Sequence, residues 1–156
     1  MIVREATPDD VAFVVEAIRG LAEYEKLEHE CAARVGMLER HVFGELRYAE
    51  ILIGEIDGER AGYALFFHTY STFLTRPGIY LEDLFVRPAD RRRGLGRALL
   101  ARVAGLAVER DCGRLEWAVL DWNEPAIAFY RSLGAGPLED WTTFRLTGEA
   151  LARLGG

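Results

Sequence analysis

The 156-residue sequence predicts an α/β fold: a mixed, mostly antiparallel central sheet with helices on both faces. Three observations predict it. The elements run β, α, α, then three strands able to pair antiparallel, then α, β, α, β. Asp57-Gly58, set between two apolar runs, is a hairpin-turn signal. Half of the residues are apolar, with charged residues interleaved throughout. That composition is globular, and the chain is long enough for a sizeable core in one domain over residues 1–156.

Each element has its own signal. Ile2 to Glu5 reads as a first strand. Thr7-Pro8-Asp9-Asp10 starts a helix, with Thr7 as N-cap and Pro8 in the first helical position. Val11, Val14, Val15 and Ile18 recur at helical spacing to about Leu21. Ala22 to Glu30 is polar and aromatic and is expected as a loop or helix end. A second helix is expected from about Ala32 to Phe43, with Val35, Leu38 and Val42 on one side. Ala49 to Ile56 and Arg60 to His68 read as strands around the Asp57-Gly58 turn. Thr69 to Gly78 is expected as a loop leading into an apolar strand, Tyr80 to Val86, which Pro88 ends. An Ala- and Leu-rich helix follows from about Leu95 to Val108. Arg114 to Leu120 is expected as another strand, broken by Asp121-Trp122-Asn123-Glu124-Pro125. A short helix then runs from about Glu124 to Leu133 and ends at Gly134 and Gly136. Trp141 to Leu146 is expected as a final strand before a short C-terminal helix.

The formal charge of −6, with arginines gathered at one place, disfavours general nucleic-acid binding. It fits an anionic cofactor at one patch and a cationic substrate elsewhere; it equally fits simple solubility. Cys31 and Cys112 have no metal spacing and no CxxC arrangement, and His29, His41 and His68 form no ligand motif, so no metal is expected. The N-terminal MIVREATPDD has no signal-peptide character, and no apolar run reaches membrane-spanning length. These features predict a cytoplasmic protein with reduced thiols and no membrane partner.

The segment YLEDLFVRPADRRRGLGR, Tyr80 to Arg97, is a strand, a cationic turn and a helix that opens on glycines. Such a junction aims backbone N–H groups at one point, and the helix dipole favours an anion there. The expected ligand is a polyphosphate, although arginines at such a junction can also be merely solvated. The segment lacks the GK[ST] ending of a P-loop, and it lacks GxGxxG followed by a ribose-binding acid. Nucleotide hydrolysis and dinucleotide binding are therefore disfavoured. Asn123 before Glu124-Pro125 is a helix cap in its own right. Ala126, Phe129, Tyr130 and Leu133 share a helical face, where an aromatic side chain is usually core.

Arg91-Arg92-Arg93-Gly94-Leu95-Gly96 matches [QR]-x-x-G-x-[GA], and Asn123-Glu124-Pro125-Ala126, Phe129-Tyr130 and Gly134-Ala135 follow it. This pattern resembles the GNAT superfamily of N-acetyltransferases. LAEYEKLE at Leu21–Glu28, YLEDLFV at Tyr80–Val86 and WNEPAIAFYRSLGA at Trp122–Ala135 extend the likeness to its diamine (spermidine/spermine) and thialysine acetyltransferase branch. The resemblance implies a GNAT-like fold and acetyl-CoA as co-substrate. The expected reaction is acetyl transfer to a primary amine of a small aliphatic polyamine, diamine or lysine-like amino acid, by direct attack in a ternary complex. It further implies that amides around Arg91, Arg92, Arg93, Gly94, Leu95, Gly96 and Arg97 hold the pyrophosphate, and that Leu84, Phe85 and Val86 pair with the pantetheine arm. Asn123, Pro125, Ala126 and Tyr130 would also contact the cofactor. Tyr130 would protonate the departing thiolate. Glu82 would hold the cationic amine and help remove its proton. Tyr24 and Glu25 would complete the amine site, Glu116 and Trp117 could also line it, Asp83 is a candidate there or a strand-end carboxylate paired with an arginine, and the branch implies a homodimer.

Glu82 and Asp83 are adjacent in a strand and are expected on opposite faces unless a bulge intervenes. Lys26 and Arg76 depart from the polyamine pattern by adding positive charge near a cation site. They favour a shorter amine, or an amino acid whose carboxylate an arginine could meet. Other amines, such as an aminoglycoside or a protein N-terminus, and a non-catalytic CoA-binding module are the alternative readings.

Overall fold

In the computed structural model, which describes residues 1–156, the strands and helices are β1 (Ile2–Glu5), α1 (Val11–Tyr24), α2 (Val35–Phe43), β2 (Glu50–Ile56), β3 (Glu59–Ser71), β4 (Arg76–Val86), α3 (Leu95–Glu109), β5 (Leu115–Trp117), α4 (Glu124–Ser132) and α5 (Gly148–Leu154). Two units are distinct: Met1–Ala118, which contains the whole sheet, and Val119–Gly156.

The sheet order is β1-β2-β3-β4-β5. The first four strands pair antiparallel and β5 joins β4 in parallel. Asp57 and Gly58 both adopt positive φ, 53° and 81°, as the turn between β2 and β3 requires. Strand alternation then sorts the side chains. Ile51 and Ile53 on β2, Tyr63 and Leu65 on β3 and Phe85 on β4 face Val14 and Ala17 of α1 and Val42 of α2. The opposite face receives α3. Gly54 and Gly62 are cross-strand partners, and the side chain of Leu95, the first residue of α3, lies over both. A Cβ on Gly54 would stand 2.6 Å from Leu95 Cδ1. The two glycines therefore let the start of α3 approach the sheet closely. Leu99, Leu100, Val103 and Leu106 continue the buried stripe of that helix.

The N-terminal strand and helix are joined through Asp10, whose side chain is wholly inaccessible. It accepts hydrogen bonds from the Thr7 N–H at 2.8 Å, from Arg4 Nη1 at 2.8 Å and from Arg60 Nε at 2.6 Å. Burial alone would raise this carboxyl, but Arg4, the Thr7 amide and Arg60 together hold it well below the ordinary carboxylate range. Thr7 is an N-cap as expected, although Pro8–Asp10 form a single 3-10 turn before α1 begins.

Helix α1 runs through Tyr24, so Ala22–Tyr24 form the helix end, one of the two readings the sequence allowed there. It stops in a Schellman turn: Lys26 has φ 61°, its N–H donates to Glu23 O, and the Leu27 N–H donates to Ala22 O. Several expectations are corrected. Helix α2 begins at Val35, not Ala32. Thr69 to Gly78 is not a loop. Strands β3 and β4 pair out to Ser71 and Arg76, and only Thr72–Thr75 turn between them. Alternating exposure at His68, Thr69 and Tyr70 hides a strand whose apolar pattern has ended. The strand expected over Arg114 to Leu120 shrinks to Leu115–Trp117.

In the second unit, α4 has the expected cap and end. Asn123 Oδ1 accepts the Ala126 N–H at 3.4 Å, and Gly134 has φ 90°. The strand expected over Trp141 to Leu146 does not form; Phe144, 94% exposed, has no sheet to pack against within this unit. Helix α5 is present. No helix is long and apolar enough to cross a membrane.

Candidate active site

The first unit gathers its chemistry-bearing residues in two places, the loop into α3 and the outer half of β4. The loop is built by Pro88–Asp90, a 3-10 turn that ends the strand. Buried Asp90 accepts from Arg87 Nε at 2.8 Å and fixes the turn. Arg92 (φ 64°) and Gly94 (φ 88°) then both take left-handed backbone conformations. Helix α3 starts at once, with no side-chain cap. Its first N–H groups have no intrahelical acceptor, and left-handed residues beside such amides can shape a concavity that suits an anion. A Cβ at Gly94 would meet open space, so the backbone angle is what favours glycine there.

The arginines of this loop divide by role. Arg93 pairs with Asp57 at 3.0 Å and with Asp90 at 3.6 Å, which ties the loop to the β2–β3 turn. Arg91 Nε donates to Val86 O at 3.0 Å, and its guanidinium lies 4.9 Å from the centre of the Tyr24 ring. Tyr24, expected at the amine site, therefore stacks on the arginine that opens the glycine loop. Arg92 and Arg97 are exposed. Leu95 is 1% exposed, so only its backbone can face a ligand. Uncapped amides, an open glycine position and exposed guanidinium groups fit a polyphosphate.

Strand β4 is paired on both sides only as far as Leu81. Its parallel ladder with β5 runs from Ile79 opposite Leu115 to Leu81 opposite Trp117. Glu82–Val86 continue with β3 alone. One edge of Leu84, Phe85 and Val86 is thus left without a strand partner, open to an extended ligand that brings its own amides. The Phe85 side chain is in the core, so its contribution there is backbone.

A bulge sits where this edge opens. Leu65 pairs with Asp83 and Phe66 with Leu81, so Glu82 is the extra residue. The strict alternation that would send Glu82 and Asp83 to opposite faces is broken. Both act on Glu25, the residue that caps α1: burial, then Asp83, then Glu82 raise the Glu25 carboxyl above its ordinary value. Asp83 is raised too, by burial first and by Glu82, against a hydrogen bond from Tyr63 Oη at 2.8 Å. Three carboxylates thus concentrate negative potential at the end of α1, where a cation is favoured.

Glu116 and Trp117 lie on β5, with Glu116 opposite Tyr80 in the ladder and 3.1 Å from Arg114 Nε. The Tyr80 phenol is raised by burial, Glu82 and Glu116. Arg76, read from sequence as a possible carboxylate partner, pairs with Asp111 at 3.7 Å. Two residues near the acids escaped the sequence reading, Tyr63 and Tyr80. Tyr63 looks like an ordinary core aromatic in an apolar strand. Its sharing of a face with Asp83 depends on the β3–β4 register, which only pairing reveals.

The second unit carries Asn123, Pro125 and Ala126 at the start of α4 and Tyr130 in its last turn. Asn123 is buried and its side chain accepts the Ala126 N–H. Tyr130 is half-buried, its ring 5.6 Å from that of Phe129. No group of three or more His, Cys, Asp or Glu side chains is placed to hold a metal ion.

Comparison with known proteins adds the family. The sequence model of the Acetyltransferase (GNAT) family matches residues 18–135. The thialysine N-epsilon-acetyltransferase of Bos taurus is 39% identical over 167 aligned positions, covering 100% of this chain and 98% of that protein. The L-ornithine N5-acetyltransferase of Arabidopsis thaliana is 33% identical, covering 97% of this chain and 86% of that one. Among solved structures, an integron cassette protein from V. cholerae superposes with a TM-score of 0.81 at 23% identity, covering 99% and 96% of the two chains; at that identity it speaks to the fold.

Proposed function

Because the chain belongs to the acetyltransferase (GNAT) family, we propose that it acetylates the side-chain amine of a lysine-like amino acid, thialysine, lysine or ornithine, using acetyl-CoA. The observation that carries the substrate class is the 39% identity over the whole chain to a thialysine acetyltransferase. The acids at the end of α1 support it, since an alkylammonium group needs anionic contacts and a route for its proton.

Acetyl-CoA supplies the acetyl group as a thioester. The amides from Arg91 to Arg97 hold its pyrophosphate, with the exposed Arg92 and Arg97 beside them. The free edge of Leu84–Val86 binds the pantetheine amides, and one N–H of that edge stabilises charge developing on the thioester oxygen. Glu82, Glu25 and Asp83 bind the ammonium group, and Glu82 assists its deprotonation. Tyr24, Glu116 and Trp117 line the amine site, and Asn123, Pro125 and Ala126 face the cofactor. Tyr130 Oη donates a proton to the departing thiolate sulfur. The chain works as one acetyltransferase domain, as a homodimer, in the cytoplasm.

The test is release of free CoA with thialysine, lysine, ornithine, putrescine, spermidine, spermine and an aminoglycoside, in wild type and Tyr130→Phe. Turnover concentrated on the lysine-like amines, and reduced about 100-fold or more in the variant, is the expected result. Binding of acetyl-CoA without turnover of any amine would overturn the reading in favour of a CoA-binding module.

A further inference from the structure

We infer that Tyr63 is a positioning residue for amine recognition: its hydroxyl fixes the orientation of the Asp83 carboxylate, so that Asp83, within the Glu25–Glu82–Asp83 group, anchors the substrate ammonium. The inference rests on the amine-acetyltransferase reading above and adds a residue that is itself wholly buried.

Tyr63 is 0% exposed, locked between β2 and β4 by its pairing with Ile53 and Phe85, and its ring lies 6.1 Å from that of Phe85. Its only polar atom donates to Asp83 Oδ2 at 2.8 Å. A buried phenol that can reach only a carboxylate has its hydrogen bond imposed by the fold. Burial first, then Asp83, push the phenol far above its ordinary value, so it remains a donor throughout the working pH range. Asp83 therefore has a fixed acceptor geometry.

The other two acids are placed differently. Glu82 is the exposed, bulged residue, and Glu25 is the C-cap of α1. The groups facing Asp83 are Tyr63 from β3, Glu82 from β4 and Glu25 at the end of α1; Glu25 and Cys31 also face Tyr63. Burial and Glu82 raise the Asp83 carboxyl, and the Tyr63 hydroxyl offsets part of that rise while fixing its orientation. That fixed carboxylate sets where the positive centre of the amine is held, and so which nitrogen of a two-amine substrate is offered for acetylation.

The experiment uses Tyr63→Phe, which removes one buried oxygen and keeps the ring. A hydrogen bond to a charged group is lost, so kcat/KM for the favoured amine is expected to fall about 10-fold, mostly through KM. The acid limb of its pH profile should move up by about one pH unit. In an Asp83→Asn background the same substitution should change neither quantity further. The Asp83 side-chain carboxyl, followed by carbon NMR, should titrate about one unit higher in Tyr63→Phe than in wild type, with or without turnover. An unmoved Asp83 titration, or an equal fall in the Asp83→Asn background, would overturn the role of Tyr63. A wild type that turns over no lysine-like amine while Asp83 still shifts would instead remove the functional reading and leave the Tyr63–Asp83 coupling standing.

Discussion

Asp83 and Asp10 show opposite electrostatic designs at the scale of single residues. Asp83 is raised by burial and by Glu82, so its part in stability is present below the ordinary carboxylate pKa and is lost as pH rises through the raised value. Asp83→Asn should therefore be more stable than wild type by about 1 kcal/mol at neutral pH, converging with it near about pH 4, while activity falls. Denaturant midpoints at the two pH values would show this, and equal midpoints at neutral pH would refute it. Asp10 is held low, so its contribution is present above the ordinary carboxylate pKa and declines as pH drops below about 4. Asp10→Ala should cost about 2 kcal/mol at neutral pH and progressively less in acid. The cost is moderate because Arg4 and Arg60 are 33% and 41% exposed and can regain water.

Elements explain how the loop into α3 is held in place. The glycine pair of β2 and β3 accepts Leu95, and Leu95 sets the height of the helix start above the sheet. Gly62→Ala would press a methyl group into the Phe85 carbonyl oxygen and crowd Leu95. A loss of about 1–3 kcal/mol is expected, with acetyl-CoA affinity falling as the loop shifts. Calorimetric melting and titration would report both, and unchanged affinity would separate helix height from cofactor binding. Gly94→Ala meets no neighbour and should cost only about 1 kcal/mol of backbone strain. Helix α3 ends as α1 does, in a Schellman turn. Asp111 has φ 54°, and the Cys112 N–H donates to Ala107 O at 2.8 Å. Asp111→Gly should raise the melting midpoint by relieving about 1 kcal/mol of strain, less whatever its exposed contact with Arg76 contributes.

The whole molecule is a sheet-bearing unit followed by a smaller helical one. The first unit places the glycine loop just beyond the C-terminal end of β4 and an acidic group partway along the same strand. The strand that carries the proposed pantetheine contacts thus also carries proposed amine contacts, and its bulge lies between the two. A homodimer is proposed at this scale. Sedimentation equilibrium should give twice the chain mass at micromolar protein, and a monomer at that concentration would remove this part of the proposal.

Local sequence determined the helices, the β2–β3 hairpin, the caps at Thr7 and Asn123, and the glycine loop. Each rests on contacts or backbone angles within a few residues: Asp57-Gly58 needs only its own positive φ, and Asn123 caps an amide three residues on. Family-patterned residues such as Glu82, Tyr130 and the Arg91–Gly96 run were likewise legible in the chain. Pairing partners were not. The extension of β3 and β4 toward the Thr72–Thr75 turn, the shortness of β5, and the absence of a strand over Trp141 to Leu146 follow from what each segment meets across space. The bulge at Glu82 is the same kind of fact. A strand has a period of two in its own sequence, and only its register against β3 shows where that period slips. That slip brings both acids to bear on Glu25, and the same register brings the buried Tyr63 to Asp83.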